Sequence, residues 1–210
     1  DRKTLDNLGV LYQVAAGIEP DADLTIIGAQ THYREADVRK CLDRGGNVLF
    51  LSRNASNHGF GVKLDPTESA QGSINVPAWP ECRGISPSDL HWRTDQPAWL
   101  VTSGVELGAD GLLGVLRNGN GVAVFCQIDP DRFQVEQQPY FRITRWRQTR
   151  ALAQVLANLG ASFAKDRDAF QWTSNQAESE VGKKGASGWY HADFRGEFNR
   201  GDDPYRYFRW

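Results

Sequence analysis

The stretch from Asp23 to Ser52, DLTIIGAQTHYREADVRKCLDRGGNVLFLS, constrains the fold more than any other part of this chain. Leu24–Ala29 is a short apolar run. Val38, Cys41 and Leu42 follow at helical spacing, Gly45 stops the helix, and Val48–Leu51 is a second apolar run. The pattern predicts strand, helix, Gly-Gly turn, strand. Two strands joined by one helix form a βαβ unit, whose strands are parallel and whose crossover is right-handed. Folds of this kind place a nucleophile or a ligand just beyond the carboxyl end of such a strand. The residues standing there are SRNASNHGFG, Ser52 to Gly61, with neither a cysteine nucleophile nor a G-x-S-x-G elbow.

A chain of 210 residues can bury one good core, with a smaller appendage. Its net charge of -2 gives no reason to expect nucleic acid or an anionic membrane as partner. No apolar run approaches the ~20 residues of a membrane span. The chain starts in charged sequence at Asp1, without a signal peptide, and contains no methionine. A processed chain or a fragment of a longer protein is the expectation. Cys41, Cys82 and Cys126 are far apart and form no C-x-x-C, so they read as buried structural thiols rather than zinc ligands. No metal or cofactor is expected, and the cysteines leave the compartment undecided.

Residues 1–162 read as one α/β domain. Residues 3–8 look like the end of a helix, and Val10–Val14 like a first strand. The region 53–95 reads as long and irregular, with Pro66, Pro77, Pro80 and Pro87. Ala98–Ser103 and Gly111–Leu116 are short strands. The turn Asn118-Gly119-Asn120-Gly121 predicts a hairpin between the second of these and Val122–Ile128. Pro139 to Leu159 is the best helix. Ile143, Trp146, Leu152, Val155, Leu156 and Leu159 form its apolar stripe, Arg147, Arg150, Gln154 and Asn158 line the opposite face, and Gly160 caps it. Residues 163–188 are polar and read as a linker or exposed loop. Residues 189–210 carry Trp189, Tyr190, Phe194, Phe198, Tyr205, Tyr207, Phe208 and Trp210, too few to make a core alone, so the segment is expected to dock on the domain.

Three residues stand as candidates for chemistry. Ser52 ends a predicted strand, and His58 lies six residues on in a Gly-rich loop, close enough in sequence to reach back as its base. No orienting acid or oxyanion-hole glycine pair is recognisable nearby, so a strand end and a loop histidine is the preferred reading. Asp129 follows the strand Val122–Ile128, where such sheets bind ligands, although Asp129-Pro130-Asp131 also makes a turn. Glycoside hydrolysis needs two carboxylates flanking one bond. Glu35, Asp89, Glu106, Asp129 and Asp131 are available but form no evident pair. Gly28-Ala29-Gln30-Thr31 lacks a dinucleotide fingerprint, and the arginines between Arg142 and Arg150 read as a solvated face or a domain contact.

Asp23–Ser52 resembles the class I glutamine-amidotransferase-like fold, a flavodoxin-like α/β sandwich. The resemblance implies a three-layer sandwich with a mostly parallel central sheet and helices on both faces, plus an aromatic-rich C-terminal extension. Ser52 takes the position of that family's catalytic cysteine. Asp129-Pro130-Asp131-Arg132-Phe133 stands where its histidine and glutamate would follow, so the activity is not implied. A narrower resemblance rests on GNGVAVFCQIDPDRF (Gly119–Phe133), YFRITRWRQTRALAQVLANLGA (Tyr140–Ala161) and DDPYRYFRW (Asp202–Trp210). These segments are similar to the C-terminal region of bacterial β-galactosidase-like, family 2 type glycoside hydrolases. That resemblance implies a non-catalytic accessory domain, whose partner is the catalytic TIM barrel of the same parent protein. A homo-oligomer, carbohydrate contact, and a periplasmic or extracellular location are compatible with it. The alternatives are a carbohydrate-binding module using the C-terminal aromatics and a stand-alone hydrolase using Ser52.

Overall fold

The computed structural model describes residues 1–19, 21–56, 58–133 and 141–164. The chain begins with α1 (Arg2–Leu8) and β1 (Val10–Leu11), then β2 (Leu24–Ile27), α2 (Glu35–Asp43) and β3 (Asn47–Phe50). Two long strands follow, β4 (Lys63–Gly72) and β5 (His91–Ser103), with α3 (Pro87–Leu90) between them. The last part holds β6 (Glu106–Gly108), β7 (Leu113–Asn118), β8 (Gly121–Cys126), α4 (Phe141–Asn158) and β9 (Ser162–Phe163).

The βαβ unit forms where the apolar runs place it. In α2, Glu35 and Asp37 lie in the first turn and Lys40 in the last, each at the helix end its charge favours. Val38, Cys41 and Leu42 are fully buried. Side chains alternate between the two faces of a strand. Val48 and Phe50 of β3 therefore meet α2 together with Ala123 and Phe125 of β8. Leu49 joins Val124 and Cys126 in the opposite core, with Trp146, Leu152 and Leu156 of α4. Gly121 opens β8 where a side chain would strike the backbone carbonyls of Leu42 and Gly46, so the strand can lie hard against the turn that leaves α2.

The expected sandwich with a mostly parallel central sheet is not what forms. The five-stranded sheet has the order β2-β3-β8-β7-β6. Only β2–β3 and β3–β8 are parallel, while β7–β8 and β6–β7 are antiparallel. Both remaining pairs, β1–β9 and β4–β5, are antiparallel too. The connections explain this. A two-residue turn at Gly119-Asn120 joins β7 to β8, and a tight turn at Ala109–Gly111 leads from β6 towards β7. Links this short can join only antiparallel neighbours, whereas a parallel pair needs a crossover of a dozen residues or more.

Residues 53–95 hold more order than the sequence suggests. β4 and β5 form a long antiparallel ribbon whose register slips at Lys63/Leu64, Thr67/Ala70 and Ala70/Gly72. The slips break the period-two pattern, so no alternation survives in KLDPTESAQG. Pro66 and Pro97 fit because a two-stranded ribbon consists of edges alone. The ribbon is anchored by Leu64, Trp92, Ala98 and Val101, all buried.

The polar face of α4 also differs from expectation. Gln148 is fully buried and donates to the carbonyl of Asp89. Arg150 pairs with the Asp89 carboxylate, and Asn158 donates to the carbonyls of Glu81 and Arg83. The segment 80–90 covers this face, so α4 is packed almost all round. At its far end the domain continues past residue 162: β9 pairs with β1, and the Ala164 amide donates to the Gly9 carbonyl. The expected linker beyond residue 164 and the aromatic segment 189–210 lie outside the described residues.

Candidate functional site

The carboxyl ends of β2, β3 and β8 lie side by side, because these strands are parallel and in register from Leu24, Asn47 and Val122. Ser52 and Arg53 follow β3 there, and Gln127 and Asp129 follow β8. Gly28 to Thr31 form the turn after β2.

Gln127 is completely buried. Its Oε1 accepts from the Ser52 hydroxyl at 3.1 Å and from the Arg53 backbone amide at 3.3 Å. The Arg53 guanidinium folds across the end of β2 and donates to the carbonyls of Gly28 (2.9 Å) and Thr31 (2.7 Å). It also lies over the Tyr33 ring, 5.3 Å from its centroid. The Asp1 carboxylate reaches the same turn and accepts from the Ala29 amide at 2.8 Å. The crevice that parallel strands create at their carboxyl ends is thus crossed by the chain's own side chains.

His58 is not at this crevice's serine. Its ring is 2% exposed and stands edge-on to Phe50 and Phe125, 4.8 Å from each centroid. The Tyr33 hydroxyl donates to the His58 carbonyl and lies 3.3 Å from its Nδ1. Burial, with some help from the Arg53 charge, holds its pKa down to about 4, so the imidazole is neutral at pH 7. Among the described residues no hydrogen bond joins Ser52 to His58. The Ser52 proton points instead at an amide oxygen, which cannot act as a base.

Asp129 opens a short turn over Pro130–Arg132, its Oδ1 accepting from the Asp131 amide at 3.0 Å. Burial raises its carboxyl pKa, opposed by the Arg132 charge. Every other carboxylate considered for glycoside chemistry has a structural partner. Glu35 accepts from the Phe60 amide and pairs with Arg39. Asp89 caps α3 through the Ser86 amide and hydroxyl. Glu106 accepts from the Trp79 indole at 2.7 Å, and Asp131 accepts from the Thr4 hydroxyl at 2.6 Å.

The chain matches no protein-family model, no curated protein and no solved structure.

The three cysteines are free and buried, and burial pushes Cys82 and Cys126 up to about 12. Neither is a thiolate nucleophile at neutral pH. Among the described residues no group of three or more His, Cys, Asp or Glu is placed to hold a metal. Among them, too, no helix is long and apolar enough to cross a membrane.

Sequence reasoning placed Ser52 and Asp129 at the right edge but missed Arg53, Gln127, Tyr33 and Asp1. Gln127 carried a usable signal: it is the first polar residue after the apolar run Val122–Cys126. A polar side chain entering a buried position needs a partner, and the end of the neighbouring strand is where one stands. Arg53 and Asp1 carried no such signal, because their partners are backbone groups of a turn.

Proposed function

We propose that this chain is a non-catalytic accessory domain of a carbohydrate-degrading enzyme of the bacterial β-galactosidase-like type. The observation that carries the non-catalytic part is the Ser52–Gln127–Arg53 arrangement. A serine nucleophile needs a base on its hydroxyl, held by a third group. Here the hydroxyl donates to Gln127, and His58 is packed among aromatic rings. The non-catalytic reading therefore stands on this chain's own geometry and no longer on a fold resemblance.

The enzyme class of the parent rests on the three sequence segments that resemble family 2 type glycoside hydrolases. On this reading the domain's partner is the catalytic barrel of the same polypeptide, and its task is structural support beside that barrel. The catalytic acid and nucleophile then belong to the barrel.

Two experiments test the two parts. Purified chain incubated with nitrophenyl esters and nitrophenyl glycosides is expected to release no nitrophenol. Turnover abolished by Ser52→Ala or Asp129→Asn would overturn the non-catalytic part. Sequencing the gene through its full reading frame is expected to reveal a glycoside-hydrolase barrel in the same frame. A complete frame lacking one would overturn the parent class.

A further inference from the structure

A cleft of about 530 Å³ opens between residues 75–77, the end of β5 and the β6–β7 turn. Its volume falls in the range of small-molecule sites. One side is apolar, formed by Val76, Pro77 and Leu107. Leu107 is 46% exposed, and Ile74, next to Asn75, is 65% exposed. The apolar side is backed by Trp79, whose ring lies so close to Gly108 that any side chain there would clash. The indole N–H on Glu106 fixes that ring.

The rest of the lining includes the polar residues Asn75, Thr102 and Asp110. Ala109, Asp110 and Gly111 follow one another in the left-handed region, at φ 50°, 52° and 88°. Two of the three are not glycine, an arrangement that persists only where the surroundings hold it. Its result is that the Asp110 carboxylate faces Ser73 and Asn75. It accepts from the Ser73 hydroxyl at 2.7 Å and from Asn75 Nδ2 at 3.1 Å and 3.2 Å. With Nδ2 committed to Asp110, the exposed Asn75 side chain presents its Oδ1 as an acceptor. Thr102 also lines the cleft, its hydroxyl donating to the Lys63 carbonyl at 3.4 Å.

We infer that this cleft binds a neutral saccharide, with hydroxyl groups donating to Asn75 and Asp110 and the C–H face of a ring lying on Pro77 and Leu107. The match is chemical. A sugar ring presents hydroxyl donors along its edge and apolar C–H groups on its face, and the cleft presents both acceptors and hydrocarbon. The Asp110 carboxylate disfavours an anionic ligand. The inference rests on the accessory-domain reading for its ligand class, and it moves carbohydrate contact from the C-terminal aromatics to a site on the folded domain.

The test is a titration of the ¹⁵N-labelled chain with lactose, cellobiose and maltose, followed by amide chemical shifts. At least one sugar is expected to shift the Asn75, Leu107, Gly108 and Asp110 amides together, saturating at millimolar concentration. The double variant Asn75→Ala, Thr102→Val should weaken binding about tenfold or more, the loss of two hydrogen-bonding groups. The variant also loses hydrogen bonds to Asp110 and Lys63, so its melting temperature is expected to fall by a few degrees, and binding is compared well below it. No shift at tens of millimolar of any of the three sugars would overturn the inference. So would shifts confined to other residues, or shifts of these amides by a lysine-rich peptide and not by sugar. None of those results touches the non-catalytic reading, which fails only if the chain hydrolyses substrate.

Discussion

The three parallel strands and the β4–β5 ribbon are held by different means. Strands β3 and β8 bury side chains on both faces, between α2 on one side and α4 on the other, and β2 lies partly buried beside them. The ribbon strands have 10 and 13 residues against four, four and six, yet β4 buries only Leu64 and Ala70. Its register is set by bulges and by the few anchors that reach the two cores. Burial on both faces writes an apolar run into the sequence, whereas a ribbon with scattered anchors writes almost nothing.

Breaking the core should cost most. Phe125 is fully buried and stacked on Phe50 at 4.7 Å between ring centroids. Phe125→Ala is expected to lower unfolding free energy by about 3–5 kcal/mol in a urea titration. The matching change in the ribbon, Trp99→Ala, removes a partly exposed ring and should cost about half as much or less. Equal losses would mean that the ribbon is as tightly integrated as the strands.

The second test uses acid. The folded-state pKa of His58 is about 4, against an ordinary value of 6.5. The unfolded chain therefore binds this proton first as pH falls. Stability is fully present above pH 6.5 and is lost progressively down to about pH 4, by about 3 kcal/mol. His58→Gln should flatten that part of the stability–pH curve measured by chemical denaturation. A wild-type curve without this slope would show that the histidine is not buried against Phe50 and Phe125.

A smaller effect is expected where the segment 80–90 meets the sheet. Glu81 is buried and makes a two-pronged pair with Arg117, at 2.8 Å and 2.9 Å. The arginine side chain is 42% exposed and can return to water. Glu81→Gln should therefore cost only about 1–2 kcal/mol by thermal unfolding. A loss like that of Phe125→Ala would place this segment within the main core.

These contrasts explain which parts could be read beforehand. Leu24–Ile27, Asn47–Phe50 and Gly121–Cys126 were legible because their apolar side chains join the two cores on opposite faces, and the Gly-Asn turn betrayed the β7–β8 hairpin. The parallel-sheet expectation failed because it extended the logic of β2 and β3 to the whole sheet. The short turns at 109–111 and 119–120 already required antiparallel neighbours. In α4, Arg150 and Asn158 were placed on the polar face because polar side chains bonded to backbone carbonyls carry no sign of their burial. At the candidate site, strand order located Ser52 and Asp129. The carbonyl-bound Arg53 was invisible for the same reason as Asn158. Asn75 and Asp110 come together only through a turn that no residue type announces.

The smallest stability effect belongs to the residue on which the functional reading turns. Ser52→Ala removes one hydrogen bond to Gln127 and should cost about 1 kcal/mol or less. Its reactivity is the most direct test of all. A fluorophosphonate probe phosphonylates serines whose hydroxyl is activated by a base, forming an O–P bond as fluoride leaves. Treated with such a probe and analysed by intact mass, the chain is expected to remain unmodified. An adduct on Ser52 that His58→Gln abolishes would contradict the account, because it would show the two residues acting as nucleophile and base.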